Sequence, residues 1–296
     1  MGTLRERFTR QGRHRCGYSH YSHWRTPASR GKIVVGHKAT LPRLLEELRM
    51  NQPLAIVLAA GKGTRMKSEL PKVLIDVGGR PMIHYVLDSL EQSGVRDVIV
   101  VVGYRAGDVR RELASRAGLR FVEQTRQLGT GHAVMACREA LAAHEAPVLI
   151  VTGDSPLLRS ATLVTLLAEF HRLRPACLIG TARKDDPRGL GRIVRDAAGN
   201  FLAIVEEKDA TPDQRRLTEV NMSYYVFAAE DLRAALDRLQ PANAQAEYYL
   251  TDCPGALRAA GRPVEALAAL QPMETLSINT FEELAAVEAA LRANSL

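Results

Sequence analysis

The stretch Leu54 to Leu74, LAIVLAAGKGTRMKSELPKVL, sets an apolar run against a loop of glycines and cations. The apolar run at 54–58, without a charge, reads as a strand buried on both faces, the pattern of a parallel sheet. Gly61-Lys62-Gly63-Thr64-Arg65 then falls at the carboxyl edge of that sheet, where open α/β folds bind ligands. Glycines let the backbone approach an anion closely, and Arg65 and Lys72 bracket the loop as two cations able to neutralise phosphate from two sides. A P-loop needs its Gly-Lys-Ser/Thr end to lead straight into a helix, and here the glycines lie two apart. The dinucleotide fingerprint fails at Met66, which stands where its third glycine belongs. Pro71 also prevents a long helix from starting directly after the glycines. Taken alone, such a loop can equally be a Gly-rich strand-to-helix turn with solvated charges.

Outward from this loop, strands and helices alternate. Apolar runs at 54–58, 97–102 (DVIVVV) and 147–152 (PVLIVT) predict buried parallel strands, with helical patterns at 81–93, 106–116 and 130–143 between them. That alternation predicts a doubly wound α/β sheet. Beyond about residue 175 the texture changes. Strands are expected at 177–182, 191–196, 201–206 and 220–228 with little helix between them, which fits a mostly antiparallel lobe. Helices return at 229–239, 250–260 and 281–293.

The chain of 296 residues has ample length for a buried core. No run approaches the roughly 18 to 20 apolar residues of a membrane span. Its four cysteines (Cys16, Cys137, Cys177, Cys253) lie far apart without a CxxC pair. That suits a reducing, cytoplasmic setting rather than a disulfide framework or a zinc knuckle. The net charge of +7 is local in origin. Residues 1–40 carry nine Lys or Arg against the single acid Glu6, so the remainder is one charge below neutrality. A near-neutral body has no basic stripe to follow a polyanion, which argues against a nucleic-acid partner. Residues 1–52 read as a basic, disordered extension with a short amphipathic helix at Leu41 to Met50, and residues 53–296 as one domain. An Arg-rich, acid-poor leader is compatible with a targeting peptide, a bacterial tail or an overextended start. His14, Cys16, His20 and His23 cluster within it, at a spacing that matches no zinc pattern.

Further motifs follow in order: GGRPMI (78–83), QLGTGHA (127–133), GDSPLL (153–158), GLGRIV (189–194), IVEEKDA (204–210), EVN (219–221) and AEYYLTD (246–252). With the opening loop they resemble the uridyltransferase domain of bacterial N-acetylglucosamine-1-phosphate uridyltransferase, over roughly residues 53–290. The resemblance implies a Rossmann-like nucleotidyltransferase fold with a mostly parallel central sheet and an antiparallel sugar-binding lobe. The activity it implies is transfer of a uridylyl group from UTP to N-acetylglucosamine-1-phosphate, with Mg²⁺ as cofactor. Bifunctional members continue into a left-handed β-helix of hexapeptide repeats that carries acetyltransferase activity. The residues up to Leu296 hold no such repeats, so only the uridyltransferase half is expected of this sequence. The β-helix also makes the trimer of those relatives, and the sequence sets no oligomeric state here.

By the same resemblance, Arg65, Lys72 and Asp154 are the catalytic set, Asp154 and Asn279 the Mg²⁺ ligands. Ala59, Ala60, Gly61, Gly63, Gln124, Gly129 and Thr130 hold the nucleotide, and Gly191, Glu206, Asn221, Tyr249 and Thr251 the sugar. His132 is expected to be a helix residue near the nucleotide rather than a catalyst. On local grounds alone, Asp154 also reads as a helix N-terminal turn residue ahead of Pro156, Asn279 as the cap of the final helix, and Glu206 as a solvated strand-end charge. Two departures bear on the sugar. The family commonly reads Asn-Thr-Gly where this chain has Asn221-Met222-Ser223, and its usual tyrosine ahead of the metal aspartate is Thr152. Glucose-1-phosphate, N-acetylmuramate-1-phosphate or a thymidine nucleotide are therefore alternative substrates. A non-catalytic nucleotide-sugar-binding subunit would be expected to lose Lys72, Arg65 or Asp154, and all three are present.

Overall fold

The computed structural model describes residues 52–63, 68–276, 278 and 280–294. The readings made for residues 1–51, including the helix at Leu41 to Met50, lie outside the described residues.

The first apolar run forms β1 (Leu54–Ala59). It pairs in parallel with β4 (Asp97–Val102) on one side and β6 (Val148–Thr152) on the other, with Leu54 opposite both Asp97 and Val148. Alternate residues of β1 feed two cores: Ala55, Val57 and Ala59 face one cluster and Leu54 and Ile56 the other. This two-sided burial is why the run carries no polar residue. The first core is completed by α1 (Met82–Gln92) and α5 (Ser160–Leu173). The second is closed by α3 (Thr130–Met135), α4 (Arg138–Ala142), α7 (Ala229–Leu236) and α8 (Asp252–Ala259).

Among the described residues nine strands make one sheet, with the main order β11-β7-β10-β6-β1-β4-β5. Here β5 is Leu119–Glu123, β7 Cys177–Arg183, β10 Glu219–Phe227 and β11 Val264–Leu267. The central sheet is mostly parallel, as the sequence predicts. The antiparallel region continues the same sheet: β10 runs against both β6 and β7, and the hairpin of β8 (Gly191–Arg195) and β9 (Phe201–Val205) hangs from β10. A separate two-stranded hairpin, β2 (Asp76–Val77) with β3 (Arg80–Pro81), packs with α9 (Phe281–Asn294) in a third small cluster.

Three differences from the expected elements have physical causes. The helix expected at 130–143 is two helices, because Cys137 leaves helical geometry (φ −87°, ψ 9°) as its side chain enters the core. Helix α2 (Ala106–Glu112) ends one turn before the expected 116. Helix α5 was not expected, although Leu163, Leu166, Leu167 and Phe170 repeat at helical spacing and are all buried. Cys137, Cys177 and Cys253 are buried free thiols, and burial pushes Cys137 up to about 12.

Candidate active site

The carboxyl ends of β1, β5 and β6 converge on a cavity of about 280 Å³. Its wall includes Ala59, Ala60, Gly61, Lys72, Gln124, Gly129, Thr130 and Asp154, so one space gathers eight residues that the sequence had scattered over nearly a hundred positions. A larger cavity of about 470 Å³, beside Leu87 and Leu119, contains none of the motif residues.

Lys72 opens a short 3₁₀ turn, Lys72–Leu74, which directly follows Pro71. That proline fixes its own φ and cannot donate, so the chain re-enters regular structure at the lysine. The Lys72 ammonium lies 2.6 Å from Oδ2 of Asp154. Asp154 leaves β6 after Gly153, whose N–H donates to the Leu58 carbonyl at 2.9 Å and ties the two strand ends together. Burial opposes ionisation of Asp154. The Lys72 ammonium and hydrogen bonds from Lys72 and Thr152 outweigh it and hold the carboxyl below the usual aspartate range. Helix α5 begins only at Ser160, so the reading of Asp154 as a helix-turn residue does not hold. Gly63 has φ +68° and lies against Lys72; a Cβ there would stand 2.8 Å from the lysine Cβ. Glycine is required at this position on both counts. Arg65 and Asn279 lie outside the described residues.

Gln124 is 3% exposed at the end of β5. Its Nε2 donates to the Gly129 carbonyl at 3.0 Å and lies 3.0 Å from Nδ1 of His132. Because that nitrogen is a donor, His132 accepts through Nδ1, and its role is to orient the amide. Gly129 (φ +106°) could not carry a side chain: a Cβ would lie 2.5 Å from the Tyr248 carbonyl oxygen. The approach is a backbone zipper. The Tyr248 N–H donates to Leu128, the Gly131 N–H donates to Tyr248, and Thr130 Oγ1 accepts from the Leu250 N–H.

This zipper carries the chain from Glu247, on the cavity wall, to Thr251 in a second polar group. Thr251 Oγ1 donates to Oε1 of Glu206 at 3.1 Å. Burial, reinforced by Asp209 and Asp252, pushes the Glu206 carboxyl up, with the Thr251 bond opposing. Glu206 is therefore not a solvated strand-end charge. Gly191 pairs with Asn221 across β8 and β10, and a Cβ on Gly191 would meet Glu206 Oε1 at 3.5 Å and Asn221 Cβ at 3.6 Å. Tyr249 is buried, with Gln245 beside its hydroxyl.

The cavity wall also includes Gln127, Val73, Thr152 and Glu247, which had not been singled out as site residues. Gln127 stands inside the QLGTGHA motif, and Gly103 signals its position. A Cβ on Gly103 would lie 2.8 Å from Gln127 Nε2 and from the Ala60 Cβ. Thr152, in place of an aromatic residue, bonds Ser155 through its hydroxyl (Oγ1–Oγ 2.8 Å).

Residues 55–251 match the family of MobA-like NTP transferase domains, and the chain belongs to that family. Within it, the chain is similar to the bifunctional protein GlmU of Pelotomaculum thermopropionicum, 45% identical over 239 residues that cover 80% of this chain and 52% of that protein. To the GlmU of Heliobacterium modesticaldum it is 47% identical over 243 residues, covering 82% and 53% respectively. The chain thus spans about half the length of these relatives. A crystal structure of UDP-glucose pyrophosphorylase complexed with UDP-glucose has the same fold, with a TM-score of 0.64 at 16% identity over 82% of this chain and 99% of that one.

Proposed function

We propose that this protein transfers the uridylyl group of UTP to N-acetylglucosamine-1-phosphate, releasing pyrophosphate and forming UDP-N-acetylglucosamine. The observation that carries the reading is the continuity of two unlike sites. A cavity with a cation in its wall is joined through Glu247 to Thr251 to a polar cradle of Glu206, Asn221 and Gly191. The first suits a nucleoside triphosphate and the second a hydroxyl- and amide-bearing sugar.

In this reaction a phosphate oxygen of the sugar phosphate attacks the α-phosphorus of UTP. The bond from that phosphorus to the oxygen bridging it to the β-phosphorus breaks, and pyrophosphate leaves with the electron pair. The nucleophile is already ionised at neutral pH, so the chain needs to supply charge and position rather than a base. Lys72 is placed to offset charge on the phosphates, and Arg65 is assigned the same task by its motif. The Gln124 amide, held by Gly129 and His132, leaves its oxygen to face a base, beside the small residues Ala59, Ala60 and Ala133. The Tyr249 hydroxyl and the Glu206–Thr251 pair offer donors and acceptors to sugar hydroxyls and an acetamide.

The donor chemistry fits Mg²⁺, which prefers oxygen ligands and makes do with one or two carboxylates plus phosphate oxygens and water. Asp154, in the cavity wall beside Lys72, is the carboxylate assigned to hold the ion, with Asn279 as the second assigned ligand. Such an ion supplies Lewis-acid polarisation of the reacting phosphates. Among the described residues no helix is long and apolar enough to cross a membrane. A cytoplasmic setting, in which thiols such as the three buried ones stay reduced, completes the proposal.

The test is pyrophosphate release by purified protein across UTP, dTTP and other nucleotides, each with N-acetylglucosamine-1-phosphate, glucose-1-phosphate or N-acetylmuramate-1-phosphate. Preference for the acetamido sugar by tenfold or more in kcat/KM is expected, the scale of leaving an acetamide pocket unpaired. Equal values for the glucose and N-acetylglucosamine compounds would remove the acetamide assignment and leave the nucleotidyl transfer standing.

A further inference from the structure

Strand β10 is broken where the sugar cradle is built. Its register against β7 jumps between Asn221 and Tyr224, and at the break Ser223 takes φ +60°, in the left-handed region. In an unbroken strand, residues 221 and 225 would stand about 13 Å apart along the chain. Here they touch: Asn221 Nδ2 donates to the Tyr225 hydroxyl at 2.7 Å. On the other side of the same amide, Asn221 Oδ1 accepts from the Ser223 N–H at 3.1 Å.

These two contacts remove the ambiguity of a primary amide. A backbone N–H can only donate, so the oxygen of Asn221 must face Ser223 and its nitrogen must face Tyr225. Tyr225 is completely buried, beneath the cradle, and its ring packs 5.8 Å from that of Phe227. Water therefore does not compete for its hydroxyl. One Nδ2 hydrogen and one Oδ1 lone pair remain on Asn221, both in set directions, beside Gly191 and within reach of the space that Glu206 borders.

We propose that Tyr225, at the bulge around Ser223, is a positioning residue that holds the Asn221 amide in the orientation selected by the Ser223 N–H and thereby sets the acceptor-sugar preference of the site. This deepens the assigned function and rests on it. The strained Ser223 backbone is what the chain accepts to bring a tyrosine four residues away against the amide. The Ser223 N–H selects the orientation, and the buried tyrosine hydroxyl, accepting from Nδ2, holds the amide there against rotation. The clamp acts on the acetamido group through Asn221 and does not reach the nucleotide cavity, whose wall contains neither residue.

The experiment compares wild type with Tyr225→Phe, which keeps the buried ring and removes only the hydroxyl. With UTP saturating, KM for N-acetylglucosamine-1-phosphate should rise about five- to tenfold, the scale of one lost hydrogen bond. KM for glucose-1-phosphate and for UTP should stay within twofold, which a general loosening of the fold would not allow. A second readout needs no turnover. The side-chain amide protons of Asn221, followed by ¹⁵N NMR, should exchange with water slowly in wild type and at least tenfold faster in the variant. Unchanged sugar-phosphate constants in Tyr225→Phe, or UTP KM rising in parallel, would overturn the proposal. So would fast Asn221 exchange in wild type, even if the variant failed to fold. Absence of turnover by wild type with any sugar phosphate would instead overturn the functional reading, with the exchange measurement still deciding the clamp.

Discussion

Lys72 and Asp154, 82 positions apart in the chain, form an ion pair of 2.6 Å in the wall of the cavity at the strand ends. The pair joins the turn after the glycine-rich loop to the end of a central strand, so charge and position are set together. In the proposed reaction the two side chains separate their tasks, the lysine facing phosphate and the aspartate a divalent ion.

Asp154→Asn keeps the shape and the hydrogen-bonding capacity of the site but removes its charge. Turnover should fall at least about a hundredfold, the scale of losing one main transition-state contact. Pyrophosphate release at saturating Mg²⁺ is the measurement. Near-normal activity would show that Asp154 does not hold the ion.

Gly129→Ala places a Cβ 2.5 Å from the Tyr248 carbonyl, at a backbone φ of +106°. Strain and overpacking together should cost about 2–4 kcal/mol. Urea denaturation would read this as a lower midpoint with an unchanged slope. A variant as stable as wild type would mean that the 128–131 and 247–250 segments do not approach as closely as described.

Ala246 is exposed and sits at φ +52°, where a Cβ is disfavoured. Ala246→Gly should therefore stabilise the fold, by about 1 kcal/mol. Thermal and chemical denaturation should agree in sign. Destabilisation would indicate that the left-handed conformation at this position is not the native one.

Glu219 joins three strands: it accepts from Arg195 Nε and Nη2, each at 2.7 Å, and from Thr181 Oγ1 at 2.7 Å. Burial raises its pKa, but the bonds from Arg195 and Thr181 prevail and bring it below the ordinary 4.5. A carboxylate with a lowered folded pKa contributes stability that is complete above its unfolded value and is lost as pH falls through the folded one. Glu219→Gln should cost about 2 kcal/mol at pH 7. The gap between variant and wild type should then shrink steadily below pH 4.5. A gap independent of pH would assign the cost to packing rather than charge.

The sequence alone determined the elements whose cause is local. The runs LAIVLA, VIVVV and VLIV are apolar because both faces of each strand are covered, and each belongs to a central strand. Loop motifs were equally legible, since glycines at 63 and 129 answer to a positive φ that the chain must adopt there. Edge strands were not: β5 (LRFVE) carries charges at both faces and is only half-buried, so its apolar signal is diluted.

Tertiary structure decided what meets what. No spacing rule brings Lys72 to Asp154 or Thr251 to Glu206, because strand order places those segments side by side and period alone does not encode it. Nor does it announce that the Gln124 amide is held by Gly129 and His132, or that Asn221 meets Tyr225 across a bulge at Ser223. Local sequence sets the preference of each short segment through side-chain period and backbone sterics. The site depends on contacts between distant segments, and these are set when the sheet order and its breaks in register are formed by packing.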